Sequence, residues 1–147
     1  MKEKIKPFLI ERIEETKQSY KNGFPIDIGI IKIRKYQFII KPKKYIKSTD
    51  RIGKDEVNFF LQYENESGVS KGITISIHIS IERSGGPAIS GWIEGRDGNF
   101  GWQRIDEKLF SACQFHKMSN WEFFRYWIKR FCKNNDSIIF KYASEIP

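Results

Sequence analysis

The sequence predicts one α+β domain, in which an antiparallel sheet of about five to seven strands packs one face against an N-terminal and a C-terminal helix. Three observations lead to this prediction. Helical periodicity occurs near both ends of the chain, polar and apolar residues alternate between them, and 147 residues suit a single domain spanning residues 1–147. A composition of 39% hydrophobic and 15% aromatic residues supplies a core and argues against disorder.

The first predicted element is an amphipathic helix over residues 3–21. Pro7 suits its first turn, where the missing N–H has no intrahelical acceptor in any case. Asn22-Gly23 ahead of Pro25 ends it, because glycine accepts the left-handed cap and proline cannot continue the helix. Its helical periodicity is carried by residues that recur every three or four positions, namely Ile5, Phe8, Leu9, Ile13, Thr16 and Tyr20.

Residues 26–46 change to strand periodicity. Isoleucines alternate from Ile26 to Ile30, and the phase then slips at Ile31, which predicts a bulge or a tight hairpin between Gly29 and Tyr36. Pro42 cannot donate to a ladder, so residues 41–44 are predicted to leave the sheet or to lie on its edge.

Four further stretches predict strands. Residues 55–63 end at a polar turn over residues 64–68, and residues 73–82 alternate five isoleucines with polar residues, which is typical of a half-buried antiparallel strand. Residues 88–95 and 99–105 flank Asp97-Gly98, a hairpin signal. This loop would place Ile93 opposite Trp102 and Gly95 opposite Phe100, with Trp92 beside Glu94 and Gln103 on the other face.

The C-terminal part is predicted to be helical. Ser119 and Glu122 fit a capping box, in which each side chain binds the backbone N–H of the other residue. Residues 137–142 are predicted to add a last strand. The apolar stripe of the helix is formed by Trp121, Phe124, Trp127, Ile128 and Phe131.

The positive charge of the chain is concentrated near its N-terminus. Of a formal net charge of +8, the first fifty residues carry +7, and residues 31–47 contain seven Lys and Arg residues without one acid. A solvated face enriched in Lys by a composition bias is one open interpretation, although such a bias alone would raise Lys along the whole chain. The asymmetry favours a polyanion or an acidic protein as partner.

The sequence favours non-catalytic binding of nucleic acid, single-stranded or structured, through a basic and aromatic strand or edge at residues 32–47. Cations neutralise phosphates, and aromatic rings stack on bases. The candidate binding residues are Lys32, Arg34, Lys35, Tyr36, Phe38, Lys41, Lys43, Lys44, Tyr45 and Lys47.

Two other interpretations of the same residues remain open. A small protein-binding module, such as an inhibitor, an adaptor or an immunity-type protein, could dock them on an acidic partner surface, with Trp92 as an anchor. Alternatively, the lysines next to Pro42 could simply protect a sheet edge from pairing with other molecules.

Catalysis is a third hypothesis. Asp97, Asp106 and Lys108 have the bare spacing of a metal-dependent nuclease, in which two carboxylates hold a divalent ion and Lys supports the attacking water. His78 and His116 could act as an acid–base pair only if the fold brings them together.

The remaining signals exclude several classes of protein. No phosphate-binding loop, nucleophile elbow or dinucleotide fingerprint occurs, so we expect neither a cofactor nor a resident metal. No apolar run approaches the length of a membrane span, and the charged N-terminus does not fit a signal peptide. The two distant cysteines, Cys113 and Cys132, are expected to stay reduced. These features together predict a cytoplasmic protein and do not indicate an oligomeric state.

Overall fold

The computed structural model describes residues 2–47, 54–64, 68, 70–94 and 98–145. Within them the chain is α+β, as predicted, with four α-helices and a curled antiparallel sheet. A short 3-10 turn at Phe115–Lys117 lies between the second and third helices. The elements in chain order are α1 (Lys2–Asn22), β1 (Ile30–Ile33), β2 (Tyr36–Ile46), β3 (Lys54–Glu64), β4 (Ser70–Ser80), β5 (Ala88–Ile93), β6 (Gly98–Arg104), α2 (Glu107–Cys113), α3 (Asn120–Asn134) and α4 (Asp136–Glu145).

The sheet is an uninterrupted meander, because each strand pairs antiparallel with its neighbour in sequence from β1 to β6. The two edges are therefore β1 and β6. β1 is short and pairs only with Tyr36–Ile39, so the remainder of β2 has a partner strand on one side alone. The predicted phase slip is explained by a hairpin between Ile33 and Tyr36, in which Arg34 adopts a left-handed φ of 53°.

The hydrophobic core lies between one face of the sheet, here called the inner face, and the helices. The predicted isoleucine face of β4 is confirmed, since all five isoleucines from Ile73 to Ile81 are buried. Phe59 of β3 packs against Phe124 of α3 with ring centroids 5.4 Å apart, and Phe100 of β6 stacks on Phe131 at 5.9 Å. Every ring contact between a described helix and a described strand is on this face.

Polar contacts also tie the N-terminal helix to the C-terminal part of the chain. The buried guanidinium of Arg12 donates to the carbonyl of Met118 at 2.6 Å and pairs with Glu15 at 2.7 Å. Asn120, in the first turn of α3, donates to the hydroxyl of Thr16 at 2.9 Å. The predicted capping box of Ser119 and Glu122 starts α3, and this bonding lowers the pKa of the Glu122 carboxyl. The N-terminal helix α1 and the C-terminal helices thus form one helical layer.

Two local predictions are wrong. Residues 137–142 belong to α4 and not to a strand, because Ile139 and Ala143, one helical turn apart, are buried in the core. In the β5–β6 hairpin, Trp102 lies opposite Ser90 and Ile93 lies opposite Gly98. Both differences arise because Gly98 is the first residue of β6 and pairs with Ile93, so it is not part of a two-residue loop; the register shift after Gly91 changes the pairing by only one residue. Gly95, Asp97 and most of the turn at residues 64–68 lie outside the described residues.

Candidate nucleic-acid interface

The basic run of residues 31–47 is divided between two places in the fold. Lys32, Arg34 and Lys35 lie on β1 and on the hairpin that follows it. Lys41, Lys43 and Lys44 lie on the part of β2 that extends past β1, and exposed Lys47 follows its end. Pro42 stays in the sheet, on this one-sided segment, with a bulge between it and Lys44.

The aromatic residues of the run point away from the surface. Phe38 has no exposed surface, and Tyr45 is buried with its hydroxyl donating to Asp55. Burial and this hydrogen bond raise the pKa of Tyr45. Tyr36 is half-buried on the inner face, against Tyr63 and Phe140. Before the bulge, the even-numbered residues of β2 point to the inner face, and after the bulge Tyr45 does so. Phe38 and Tyr45 therefore cannot stack on a base.

The opposite face of the sheet, here called the open face, carries other aromatic rings. Phe60, Trp92 and Trp102 project from β3, β5 and β6, and Trp102 is 56% exposed. The Arg83 guanidinium lies 4.1 Å from the centre of the Trp102 ring, a cation–π contact. The Lys43 ammonium lies 5.4 Å from the centre of Phe60. Two of these three rings are therefore each in contact with a cation.

A polar cluster occupies the middle of the open face. The amide of Asn58 donates to Glu56 at 2.9 Å and to the Ser76 hydroxyl at 2.5 Å, and His78 Nε2 lies 2.5 Å from the other Glu56 oxygen. The His78 ring in turn meets Trp92 edge-on at 4.1 Å. Asn58 is only 7% and Ser76 only 1% exposed, although they lie on the face opposite the helices. This network, defined as Glu56, Asn58, Ser76 and His78, is thus held in one arrangement by its own hydrogen bonds.

The strand register arranges these side chains in rows across the sheet. The longest row runs from β2 to β6 and covers four inter-strand steps, or about 19 Å at the usual spacing, whereas the other two end at β4 and at β5. Each row begins at β2, and the three rows are Lys41, Phe60 and Thr74; Lys44, Asn58, Ser76 and Trp92; and Ile46, Glu56, His78, Ser90 and Trp102.

Part of this surface had a signal in the sequence. The alternation of β4 indicated that Ser76 and His78 share a polar face, and Trp92 was predicted to lie on the face opposite Ile93. Gln103 does not join Trp92 there, because it accepts a hydrogen bond from Arg130 of α3 on the inner side. The outward position of Phe60 could not be predicted. Phe59 and Phe60 are consecutive, so one of them must face away from the core, but the sequence does not show which.

The candidate catalytic residues that the structure describes lie in different parts of the fold. Asp106 caps α2, its carboxylate accepting from the N–H of Leu109 at 2.8 Å, and Lys108 lines the same open cleft of about 910 Å³. Asp97 lies outside the described residues. His116 packs near Phe110 in the helical layer, whereas His78 is on the open face. Among the described His, Cys, Asp and Glu residues, no group of three is placed to hold a metal ion.

Comparison with protein-family models, curated proteins and solved structures finds no match for this chain. None of the described helices combines the length and apolar character that a membrane crossing requires. The functional argument therefore depends on the side chains of the open face and of the basic run.

Proposed function

We propose that the protein binds single-stranded nucleic acid, without cleaving it, across the open face of its sheet. The observation that supports this proposal is the placement of Phe60, Trp92 and Trp102 on the same face as Lys41 and Lys44, a face that no described helix covers. The cations are those of the predicted run, whereas the rings are different ones.

The chemistry of this surface suits a flexible polyanion. Lys41, Lys43 and Lys44 would neutralise phosphates along the β2 side, and Trp102 would stack on a base at the far side. A nucleic-acid strand lying across the sheet would pass over the polar cluster, where the side chains of Glu56 and His78 keep some exposed surface and can bond to base edges. Single-stranded nucleic acid fits better than a duplex, because only unpaired bases offer their flat surfaces to aromatic side chains.

The first test is a titration of labelled single-stranded and double-stranded oligonucleotides at several salt concentrations. The triple variant K41E/K43E/K44E should lose affinity, and its log–log salt slope should flatten by about 2, at roughly 0.7 per lost phosphate contact. Trp102→Ala should weaken binding by roughly 5- to 150-fold, the usual range for loss of one stacked base.

The matched control is K4E/K21E/K141E, which makes the same change in net charge at exposed lysines on α1 and α4. An equal loss of affinity in this control would show that net charge alone attracts the oligonucleotide. No binding by the wild type at about 0.1 M salt, where phosphate contacts still contribute, would overturn the proposal. An acidic protein partner for the same lysines would then be the interpretation that stays.

A further inference from the structure

A separate basic groove runs along the free edge of β1. Its walls and floor enclose about 590 Å³ and bring together residues from β1, α3 and the start of α4. The residues that line it are Ile30, Ile31, Lys32, Ile33, Arg34, Lys129, Lys133 and Asp136. It lies at the sheet edge beside the helical layer and shares no lining residue with the three rows of the open face.

The charge of this groove is positive and largely uncompensated. Its one acid, Asp136, pairs with Arg34 at 3.2 Å, and Arg34 also lies over the ring of Phe140 at 4.4 Å. The other three cations, Lys32, Lys129 and Lys133, are exposed and form no ion pair with any described residue. A ligand of the groove would therefore meet three available ammonium groups.

The floor of the groove offers backbone hydrogen-bonding groups. Ile40 donates its N–H to the carbonyl of Gly29 at 2.9 Å, which sets the alternation of the β1–β2 ladder. Ile31 and Ile33 therefore turn their N–H and C=O groups towards β2, and those of Ile30 and Lys32 point outwards at the edge. Such a row of outward-facing groups is a template for another strand.

We propose that this groove binds an acidic, extended protein segment, which adds to the sheet as a strand beside β1. Backbone pairing with Ile30 and Lys32 would supply affinity, and carboxylates would select the partner by pairing with Lys129 and Lys133. These two lysines are four residues apart on α3, a rise of about 6 Å. Alternate residues of a strand are about 6.6 Å apart, so the geometry points to an acid–x–acid pattern in the partner.

Charge complementarity also argues against a second copy of this chain as the occupant. Pairing of β1 with another β1 would bring Lys32 and the lysines of α3 close to their own copies, and like charges placed opposite each other destabilise a strand pair. The exposed Ile30, at 51%, would instead pack against an apolar residue of the partner that alternates with its acids.

The proposal is tested with synthetic peptides of about ten residues, the length of a long natural strand, in which Glu alternates with Val. A second peptide has N-methyl groups on the backbone nitrogens of one strand edge, so that it keeps the charge and cannot pair. Peptide binding should slow hydrogen exchange at the N–H groups of Ile30 and Lys32. The N-methylated peptide should bind roughly tenfold more weakly and give no such protection.

Variants separate this site from the open face. K129E/K133E should lose roughly tenfold or more in affinity for the alternating peptide. The matched double variant K4E/K141E should bind the alternating peptide like the wild type. K41E/K43E/K44E should also bind it like the wild type, because its loss of oligonucleotide affinity tests only the nucleic-acid proposal. Equal binding of the two peptides, or equal loss in K4E/K141E, would overturn strand addition in favour of diffuse electrostatic attraction. Sedimentation that showed a dimer sensitive to K129E/K133E would overturn it in favour of self-association.

Discussion

Asn58 and Phe59 are consecutive residues of β3, and both are almost completely buried, yet on opposite faces of the sheet. Phe59 is covered by the helical layer and contacts Phe124, so its burial is part of the hydrophobic core. Asn58 is covered by strand neighbours on the open face and donates to Glu56 and Ser76. One residue is held by apolar packing and the other by a polar network.

The comparison shows that burial has different meanings on the two faces. On the inner face it removes apolar surface from water and stabilises the fold. On the open face it fixes the orientation of polar groups, at a cost that only satisfied hydrogen bonds offset. This polar cluster and the exposed Trp102 in the same row form part of the surface that we propose binds nucleic acid. The predictions below test this difference, from the largest expected effect to the smallest.

Phe59→Ala should lower the free energy of unfolding by about 3–5 kcal/mol, because it leaves a cavity under α3. Phe60→Ala, the neighbouring change on the open face, should cost less than half as much. Both values can be measured by urea unfolding, provided that the slope with denaturant is unchanged. Equal losses would mean that the open face is packed like a core, and the comparison would then fail.

Asn58→Leu should lower the free energy of unfolding by about 1–3 kcal/mol, although it adds apolar surface, because Ser76 and one oxygen of Glu56 lose their donor. The control is Gln37→Leu, an exposed position on the same face, which should change stability by less than about 0.5 kcal/mol. A neutral or stabilising Asn58→Leu would show that the network does not hold the open face together.

Ser119→Ala should cost about 1 kcal/mol, since it removes the side-chain acceptor at the start of α3. The partner Glu122 has a lowered pKa, so its contribution is present above the ordinary value of 4.5 and is lost as the pH falls below it. The wild type should therefore lose more stability than Ser119→Ala between about pH 5 and pH 3. Parallel pH profiles from thermal unfolding would contradict this assignment.

Trp102→Ala should have the smallest effect on stability, about 0.5 kcal/mol, because its side chain is largely exposed and an exposed cation–π pair such as that with Arg83 contributes little. Its effect on oligonucleotide affinity should nevertheless be large, and the difference between the two measurements is the point of the experiment. A loss of stability comparable to that of Phe59→Ala would give Trp102 a structural role instead.

Much of the fold could be predicted from the sequence because its signals are local. The alternation of β4, the capping box of Ser119 and the stop after Asn22 depend only on neighbouring residues, and the structure confirms each of them. The helical conformation of residues 137–142 could not be predicted, because their β-branched and aromatic residues favour a strand. The helix forms because it places Ile139 and Ala143 in the core. The register of the β5–β6 hairpin was also missed, because Gly98 pairs with Ile93 as part of β6 although Asp97-Gly98 is a strong local signal for a two-residue loop.

The sequence predicted the positive charge of the candidate interface, but not which side chains share its surface. The cations of residues 41–44 stand out in composition, and their place on a sheet edge follows from Pro42. The consecutive apolar residues Phe38, Ile39 and Ile40 fit either phase, so the sequence did not show that Phe38 faces the core. The basic groove was not predictable at all, because Lys129 and Lys133 join Lys32 only through tertiary packing.

The meander has a consequence for how the chain folds. Every strand pairs with the next strand in sequence, so hairpins can form and extend with little loop closure, which favours rapid folding. The contacts of Arg12 with Met118 and of Thr16 with Asn120, by contrast, span more than a hundred residues. Closure of the helical layer, which must bring the two ends of the chain together, is thus expected to be the slow step. A nascent chain would assemble its open face first and its core last.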